Sequence, residues 1–154
     1  MRKTIQQIQQ KKDNGQKITM LTAYDYPSAK LADEAGVDII LVGDSLAMTV
    51  LGYPNTVSIT MNEMLHHCKA VARGAQRSFL VGDMPFLSYQ VHPTYAIRNA
   101  GMMIKEGGME AVKVEGGTEV TEIEIKLEAI GILDSQLGKA LLAASNIDQP
   151  TFDK

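Results

Sequence analysis

Acidic side chains stand at the ends of four apolar segments that have the composition of β-strands. In chain order, Asp25 follows residues 18–23, Asp44 follows 37–42, Asp83 follows 79–81 and Glu115 follows 111–114. Parallel α/β folds bind ligands at the carboxyl ends of their strands, and in barrels that end is the catalytic face. Aspartate is common in turns, so each residue alone is a weak signal. The recurrence of an acidic residue after all four strands predicts that four acidic groups converge.

Lys113 is the basic residue that accompanies this set. It lies two residues before Glu115, and alternate residues of a strand share one face, so the two side chains point the same way. Its neighbours Val112 and Val114 are apolar. A lysine inside an otherwise apolar strand favours a role in a binding site over a position on the protein surface.

The histidines and the cysteine are interpreted as structural. His66 and His67 are adjacent on a predicted helix, where successive side chains point about 100° apart and cannot easily face one metal. His92 precedes a proline that begins a helix. Cys68 has the helical spacing of a core residue.

The elements that must position these side chains alternate between strand and helix. A short amphipathic helix over 4–13 comes first, and further helices are predicted over 29–35, behind the capping-box sequence 60–63 and after Pro93. This repeat predicts a parallel sheet with right-handed crossovers, either doubly wound or a (β/α)₈ barrel. No Gly-x-Gly-x-x-Gly follows any strand, so the sequence gives no support to dinucleotide binding.

Composition excludes several classes of function. The 154 residues carry 15 basic and 18 acidic side chains, a net charge of −3, which lacks the basic footprint of a protein that binds nucleic acid or anionic membranes. No apolar run approaches the roughly 20 residues that span a bilayer, and the polar amino terminus does not look like a signal peptide. With a single cysteine as well, we expect a cytoplasmic α/β domain.

Five motifs in register carry a resemblance to a known family. They are Thr22-Ala23-Tyr24-Asp25-Tyr26, Leu41-Val42-Gly43-Asp44-Ser45-Leu46-Ala47-Met48-Thr49, Arg73-Gly74-Ala75, Gly82-Asp83-Met84-Pro85-Phe86 and Val112-Lys113-Val114-Glu115-Gly116-Gly117. In order and spacing, residues 15–117 resemble the amino-terminal part of the ketopantoate hydroxymethyltransferase family. Ala47 departs from that family's usual glycine, and we expect the added methyl group to be tolerated unless the position needs positive φ.

The resemblance implies a (β/α)₈ barrel, of which this chain covers about the first four βα units. It implies Mg²⁺ bound by Asp44, Asp83 and Glu115, with Ser45 and Lys113 joining Asp44 and Asp83 in contacting an α-keto acid. Oxygen ligands of this kind suit Mg²⁺, which as a Lewis acid acidifies the C–H next to a ketone. The implied reaction transfers a hydroxymethyl group from methylenetetrahydrofolate to 3-methyl-2-oxobutanoate, giving ketopantoate in pantothenate biosynthesis.

The resemblance fades after residue 117. We therefore divide the chain into an amino-terminal half-barrel, 1–117, and a divergent helical tail, 118–154. The glutamate that the family uses as general base lies beyond the matching region, so no catalytic residue is assigned, and Asp25 is the only acid of the set left as a candidate base. Because half a barrel leaves open sheet edges, we expect a homo-oligomer.

Three functions stay open on the sequence alone. The first is the hydroxymethyltransferase activity of the family. The second is a fragment that binds at most metal and keto acid without turnover. The third is a related Mg²⁺-dependent barrel enzyme acting on phosphoenolpyruvate or oxaloacetate-like acids, which the motifs at residues 43–46 and 113–117 disfavour.

Overall fold

The computed structural model describes residues 1–116. The elements in chain order are α1 (Ile5–Asp13), β1 (Met20–Thr22), α2 (Tyr26–Glu34), β2 (Ile39–Val42), α3 (Leu46–Thr49), α4 (Met61–Gly74), β3 (Phe79–Asp83), α5 (Pro93–Lys105) and β4 (Ala111–Lys113). The four predicted strands are all present. The first, second and fourth are shorter than predicted, because residues 18–19, 23, 37–38 and 114 lie outside the strands, and the third is longer, because it extends to Asp83.

The strands form one parallel sheet in the order β1-β2-β3-β4. This order is the one expected for successive βα units of a barrel, with each strand beside its neighbour in sequence. In the register, Val42 pairs with Gly82, and Asp83 pairs with Lys113. The carboxyl ends of the last three strands therefore lie side by side.

The two faces of the sheet pack against different partners. On one face, the large core includes Leu80, Cys68 and Met103, which join the sheet to the helices that cover it. On the other face, Phe79 and Val81 pack with Ile8 of α1. Side chains alternate along a strand, so Asp83 shares the face of Phe79 and Val81, while Gly82 faces the helices.

The helices begin at the signals that the sequence contains. Thr4, Asp25 and Thr60 each form a capping box with the residue three positions later, which satisfies backbone N–H groups of the first turn. His92 caps α5 by accepting a hydrogen bond from the backbone N–H of Thr94 at 3.2 Å. This contact agrees with the prediction that His92 has a structural role.

The short helix α3 was not predicted. It begins directly after Ser45 and contains Ala47, whose N–H donates to the carbonyl of Asp44 at 2.9 Å. Ala47 has no positive φ, so the position does not require glycine. The departure from the family's usual residue is accommodated in helical backbone.

Buried carboxylates hold the amino-terminal ends of the middle strands. Asp33 accepts hydrogen bonds from the backbone N–H groups of Arg77 and Ser78, at 2.8 and 2.7 Å, just before β3. Asp38, just before β2, binds Lys11 at 2.7 Å and the backbone N–H of Thr19 at 3.0 Å. Asp33 and Asp38 therefore stabilise the fold at the amino-terminal end of the sheet, opposite to the end where Asp83 lies.

The predicted helical tail, 118–154, lies outside the described residues. Within residues 1–116, no helix combines the length and the apolar character that crossing a membrane would need.

Candidate functional site

Three of the four acidic residues singled out in the sequence lie around the carboxyl ends of β2, β3 and β4. Asp83 is the last residue of β3, Asp44 lies two residues beyond β2, and Glu115 lies two residues beyond β4. Lys113 is the last residue of β4 and pairs with Asp83 across the ladder. The parallel register thus brings together side chains that are up to 71 positions apart in the chain.

Lys113 is the centre of an ion-pair network in this cluster. Its Nζ lies 2.8 Å from Oδ1 of Asp83 and 2.5 Å from Oε1 of Glu115. The second carboxylate oxygen of Asp83 accepts a hydrogen bond from the backbone N–H of Asp44 at 3.2 Å. Asp83 is therefore held on both sides, with its side chain only 8% exposed, whereas the side chain of Glu115 is 72% exposed.

Burial and mutual repulsion shape the electrostatics of the cluster. Burial raises the pKa of Asp44 above its usual value, and the negative charge of Glu115 raises it further. Burial also raises the pKa of Asp83, although the charge and hydrogen bond of Lys113 oppose the rise. For Lys113, burial lowers the pKa, but Asp83 and Glu115 more than compensate, so the net pKa is above its usual value. The cluster favours a positive charge among its carboxylates.

Ser45 is held in the same region by a residue that the sequence analysis did not assign. The hydroxyl groups of Tyr24 and Ser45 lie 2.9 Å apart. The backbone carbonyl of Tyr24 is in turn 2.6 Å from Nδ1 of His67, which fixes the loop after β1 against α4. This contact supports a structural role for His67. Tyr24 lies in the first motif, but nothing in that motif indicates that it binds Ser45.

Asp25 has a different role from the other three acids. Its carboxylate accepts hydrogen bonds from the N–H of Ser28 at 2.8 Å and from the Ser28 hydroxyl at 2.5 Å, as the cap of α2. The Ser28 hydroxyl and backbone lower the pKa of Asp25. Asp44, Asp83 and Glu115 are linked through Lys113 and the backbone of Asp44, whereas the described contacts of Asp25 are those of a helix cap.

The carboxylates of Asp44, Asp83 and Glu115 are oxygen ligands of the kind that a hard cation such as Mg²⁺ prefers, although they do not surround one point. In the described part of the chain, no group of three or more His, Cys, Asp or Glu side chains is close enough together to hold a metal. Mg²⁺, however, commonly uses only one or two carboxylates and keeps several waters. Asp44 and Asp83 supply two carboxylates here, joined by the hydrogen bond from the Asp44 backbone N–H to Asp83.

Solved structures show the same fold at low sequence identity. A 2,3-dimethylmalate lyase, described as a member of the PEP mutase/isocitrate lyase superfamily, aligns with 82% of this chain and 49% of its own at a TM-score of 0.60 and 18% identity. A phosphonopyruvate hydrolase in complex with oxalate and Mg²⁺ aligns with 65% of this chain and 34% of its own, at a TM-score of 0.54 and 20% identity. These likenesses confirm the predicted fold, the first βα units of a TIM barrel.

Sequence relatives identify the family. The 3-methyl-2-oxobutanoate hydroxymethyltransferase of Carboxydothermus hydrogenoformans is 58% identical over 131 residues, which are 85% of this chain and 48% of that protein. That of Dehalococcoides mccartyi is 54% identical over 86% of this chain and 47% of its own length. The chain spans about half the length of these relatives. Residues 2–133 match the family described as ketopantoate hydroxymethyltransferase, so the chain belongs to the ketopantoate hydroxymethyltransferase family.

Proposed function

We propose that the cluster at the carboxyl ends of β2, β3 and β4 binds Mg²⁺ and an α-keto acid for hydroxymethyl transfer. The substrate would be 3-methyl-2-oxobutanoate, the one-carbon donor methylenetetrahydrofolate, and the product ketopantoate, in pantothenate biosynthesis. The observation that carries the proposal is the meeting of Asp44, Asp83, Lys113 and Glu115 from three strands in a chain of this family.

Asp44 and Asp83 are the proposed principal metal ligands. Both have raised pKa values, which burial causes first, so a bound cation would relieve the cost of keeping them ionised. Glu115 is the third proposed ligand. When bound, Mg²⁺ would supply Lewis-acid polarisation of the ketone oxygen and so acidify the neighbouring C–H.

Lys113 and Ser45 are the proposed contacts of the substrate carboxylate, with Asp44 and Asp83 alongside. The raised pKa of Lys113, in which Asp83 and Glu115 outweigh the lowering effect of burial, keeps the ammonium charged at neutral pH. Its bonds to those two acids hold it at the end of β4. The Ser45 hydroxyl, 2.9 Å from that of Tyr24, can receive a hydrogen bond from Tyr24 while donating its own to the substrate.

Proton removal requires a base within hydrogen-bond reach of the C3 proton. Asp44, Asp83 and Glu115 are assigned to the cation, and Asp25 is engaged with Ser28. We therefore propose that residues 1–116 supply binding of metal and keto acid, and that the base comes from outside them. This keeps open the second hypothesis, binding without turnover, for the 154-residue chain alone.

The proposal also covers the oligomeric state and the cellular location of the protein. β1 lies at one edge of the sheet, with all three of its residues exposed, including Leu21 at 54%. We propose a homo-oligomer, in which this edge of the sheet can pair with another chain. We propose a cytoplasmic location, in keeping with the small-molecule substrate in the name of the relatives.

Calorimetric titration tests the binding proposal. The purified chain is titrated with 3-methyl-2-oxobutanoate with and without Mg²⁺, and with 3-methylbutanoate as the matched acid that lacks the ketone. We expect heat of binding only for the keto acid and only with Mg²⁺. Equal heats for the two acids, or no effect of Mg²⁺, would contradict the proposal.

Deuterium exchange tests the placement of the base. We expect the C3 proton of 3-methyl-2-oxobutanoate to exchange in D₂O with the 154-residue chain no faster than with Mg²⁺ alone, since general-base assistance is typically worth about 10²–10⁴ in rate. Exchange that depends on the protein and disappears in Asp25→Asn would show that Asp25 is the base.

A further inference from the structure

The backbone of Glu115 has an unusual partner. β4 ends at Lys113, whose carbonyl accepts a hydrogen bond from the N–H of Met84 at 2.9 Å. Glu115 lies two residues beyond Lys113. The Tyr89 hydroxyl donates a hydrogen bond to the backbone carbonyl of Glu115 at 2.7 Å and accepts one from the backbone N–H of Glu115 at 3.0 Å. One side-chain hydroxyl therefore takes the place of a neighbouring strand for both polar backbone groups of Glu115.

Tyr89 is itself firmly held. Its side chain is 3% exposed and belongs to the large core between sheet and helices. The preceding carbonyl, that of Ser88, accepts a hydrogen bond from Nδ2 of Asn99 on α5 at 2.6 Å. Leu87 has φ of 63°, a conformation that costs a non-glycine residue about 1–3 kcal/mol and persists only where the surroundings impose it. The loop 84–92 thus presents the Tyr89 hydroxyl from a fixed position.

The Glu115 side chain, by contrast, is fixed by little else. It is 72% exposed, and its bond to Lys113 is the one ion pair it makes within the described residues. An exposed ion pair of this kind contributes only about 0–1 kcal/mol. The position of the Glu115 carboxylate therefore depends mainly on where its backbone is held.

We propose that Tyr89 is a positioning residue of the metal centre, which clamps the Glu115 backbone so that its carboxylate faces the site of Asp44 and Asp83. This inference rests on the proposed function, because it assigns Glu115 to the cation. Tyr89→Phe removes the hydroxyl and keeps the packed ring. Because the ring stays packed in the core, we expect the fold to persist while the Glu115 carboxylate loses its fixed place.

Mn²⁺ titration followed by electron paramagnetic resonance tests the inference. Mn²⁺ serves as the probe because it prefers the same carboxylate ligands as Mg²⁺. Loss of a residue that orients a metal ligand typically weakens metal binding by about 10- to 100-fold, and we expect Tyr89→Phe to raise the Mn²⁺ dissociation constant by about 10-fold. Tyr95→Phe is the matched control, since Tyr95 is 54% exposed on α5, and should bind as the parent chain does.

A double-mutant cycle separates positioning from a general loss of structure. If Tyr89 acts through Glu115, Tyr89→Phe should have little effect on Mn²⁺ affinity in a Glu115→Gln background. An unchanged dissociation constant in Tyr89→Phe alone would overturn the inference, as would an equal loss in both backgrounds. Failure of the parent chain to bind Mn²⁺ would instead refute the proposed metal centre, and this inference with it.

Discussion

Replacing Lys113 with methionine tests the ion pair on which the cluster is built. Methionine keeps the apolar stem of the side chain and removes the ammonium group 2.8 Å from Oδ1 of Asp83. Among the described contacts, the Asp83 carboxyl group, with its side chain 8% exposed, then keeps the hydrogen bond from the N–H of Asp44 without the charge of Lys113. The variant should therefore be less stable at neutral pH.

The size of the loss follows from burial. A hydrogen bond to a charged group is worth about 1.5–3 kcal/mol, and removing one partner of a fully buried ion pair costs about 3–5 kcal/mol. The Lys113 side chain is 31% exposed, so water screens part of the interaction and the lower range applies. Its bond to the exposed Glu115 adds little. We expect Lys113→Met to lower the free energy of unfolding by about 2 kcal/mol at pH 7.

The loss should depend on pH in one direction. Burial raises the pKa of Asp83, which Lys113 opposes, so removing Lys113 raises that pKa further. A carboxyl group whose folded pKa is raised stabilises the fold fully below its unfolded pKa of about 3.9, and loses that contribution as pH rises through the folded pKa. The deficit of Lys113→Met should be smallest at low pH and grow towards neutrality.

Urea unfolding followed by circular dichroism, repeated between acidic and neutral pH, measures this deficit. Lys30→Met is the control, because its Nζ lies 3.9 Å from Glu34 and its side chain is 53% exposed. That change should stay within about 0.5 kcal/mol. Equal losses in the two variants, or a Lys113→Met deficit independent of pH, would refute this account of the cluster.

Two further predictions concern the scaffold. A Cβ at Gly74 would lie 2.5 Å from the backbone oxygen of Tyr26, so Gly74→Ala should destabilise the fold by about 1–3 kcal/mol and lower the melting temperature. A Cβ at Gly101 would meet no atom within 4 Å, so Gly101→Ala should raise the melting temperature, because alanine has the higher helix propensity. Burial raises the pKa of Asp33, but the N–H groups of Ser78 and its neighbours lower it more, so the net pKa is well below the usual value. Asp33 therefore stabilises the fold above its unfolded pKa of about 3.9, and urea unfolding should show the deficit of Asp33→Asn shrinking as pH falls below that value.

Local sequence signals predicted the elements and the strand ends well. The capping-box sequence at Thr60, the proline at the start of α5 and the continuous aliphatic runs each determine structure through nearby contacts. The positions of Asp44, Asp83 and Glu115 follow because parallel strands in sequence order align their carboxyl ends.

Contacts that depend on loop geometry could not be predicted in this way. The bonds from Tyr24 to Ser45 and from Tyr89 to Glu115 join residues 21 and 26 positions apart in the chain, and the four-residue helix α3 is too short to have a periodic pattern. No periodicity marks a tyrosine whose hydroxyl reaches a distant backbone. For Asp25, the position after a strand predicted a place in the site. Its carboxylate instead accepts hydrogen bonds from Ser28 and caps α2.

The assignment of Asp44 and Asp83 as metal ligands is tested most directly by Mg²⁺-dependent binding of 3-methyl-2-oxobutanoate to an Asp44→Asn, Asp83→Asn double variant. Asp13→Asn, which changes an exposed carboxylate at the end of α1, is the matched control. Calorimetry should show binding in the parent chain and in the control, and no binding in the double variant while its circular dichroism spectrum is unchanged. Mg²⁺-dependent binding of equal affinity in all three proteins would contradict the account.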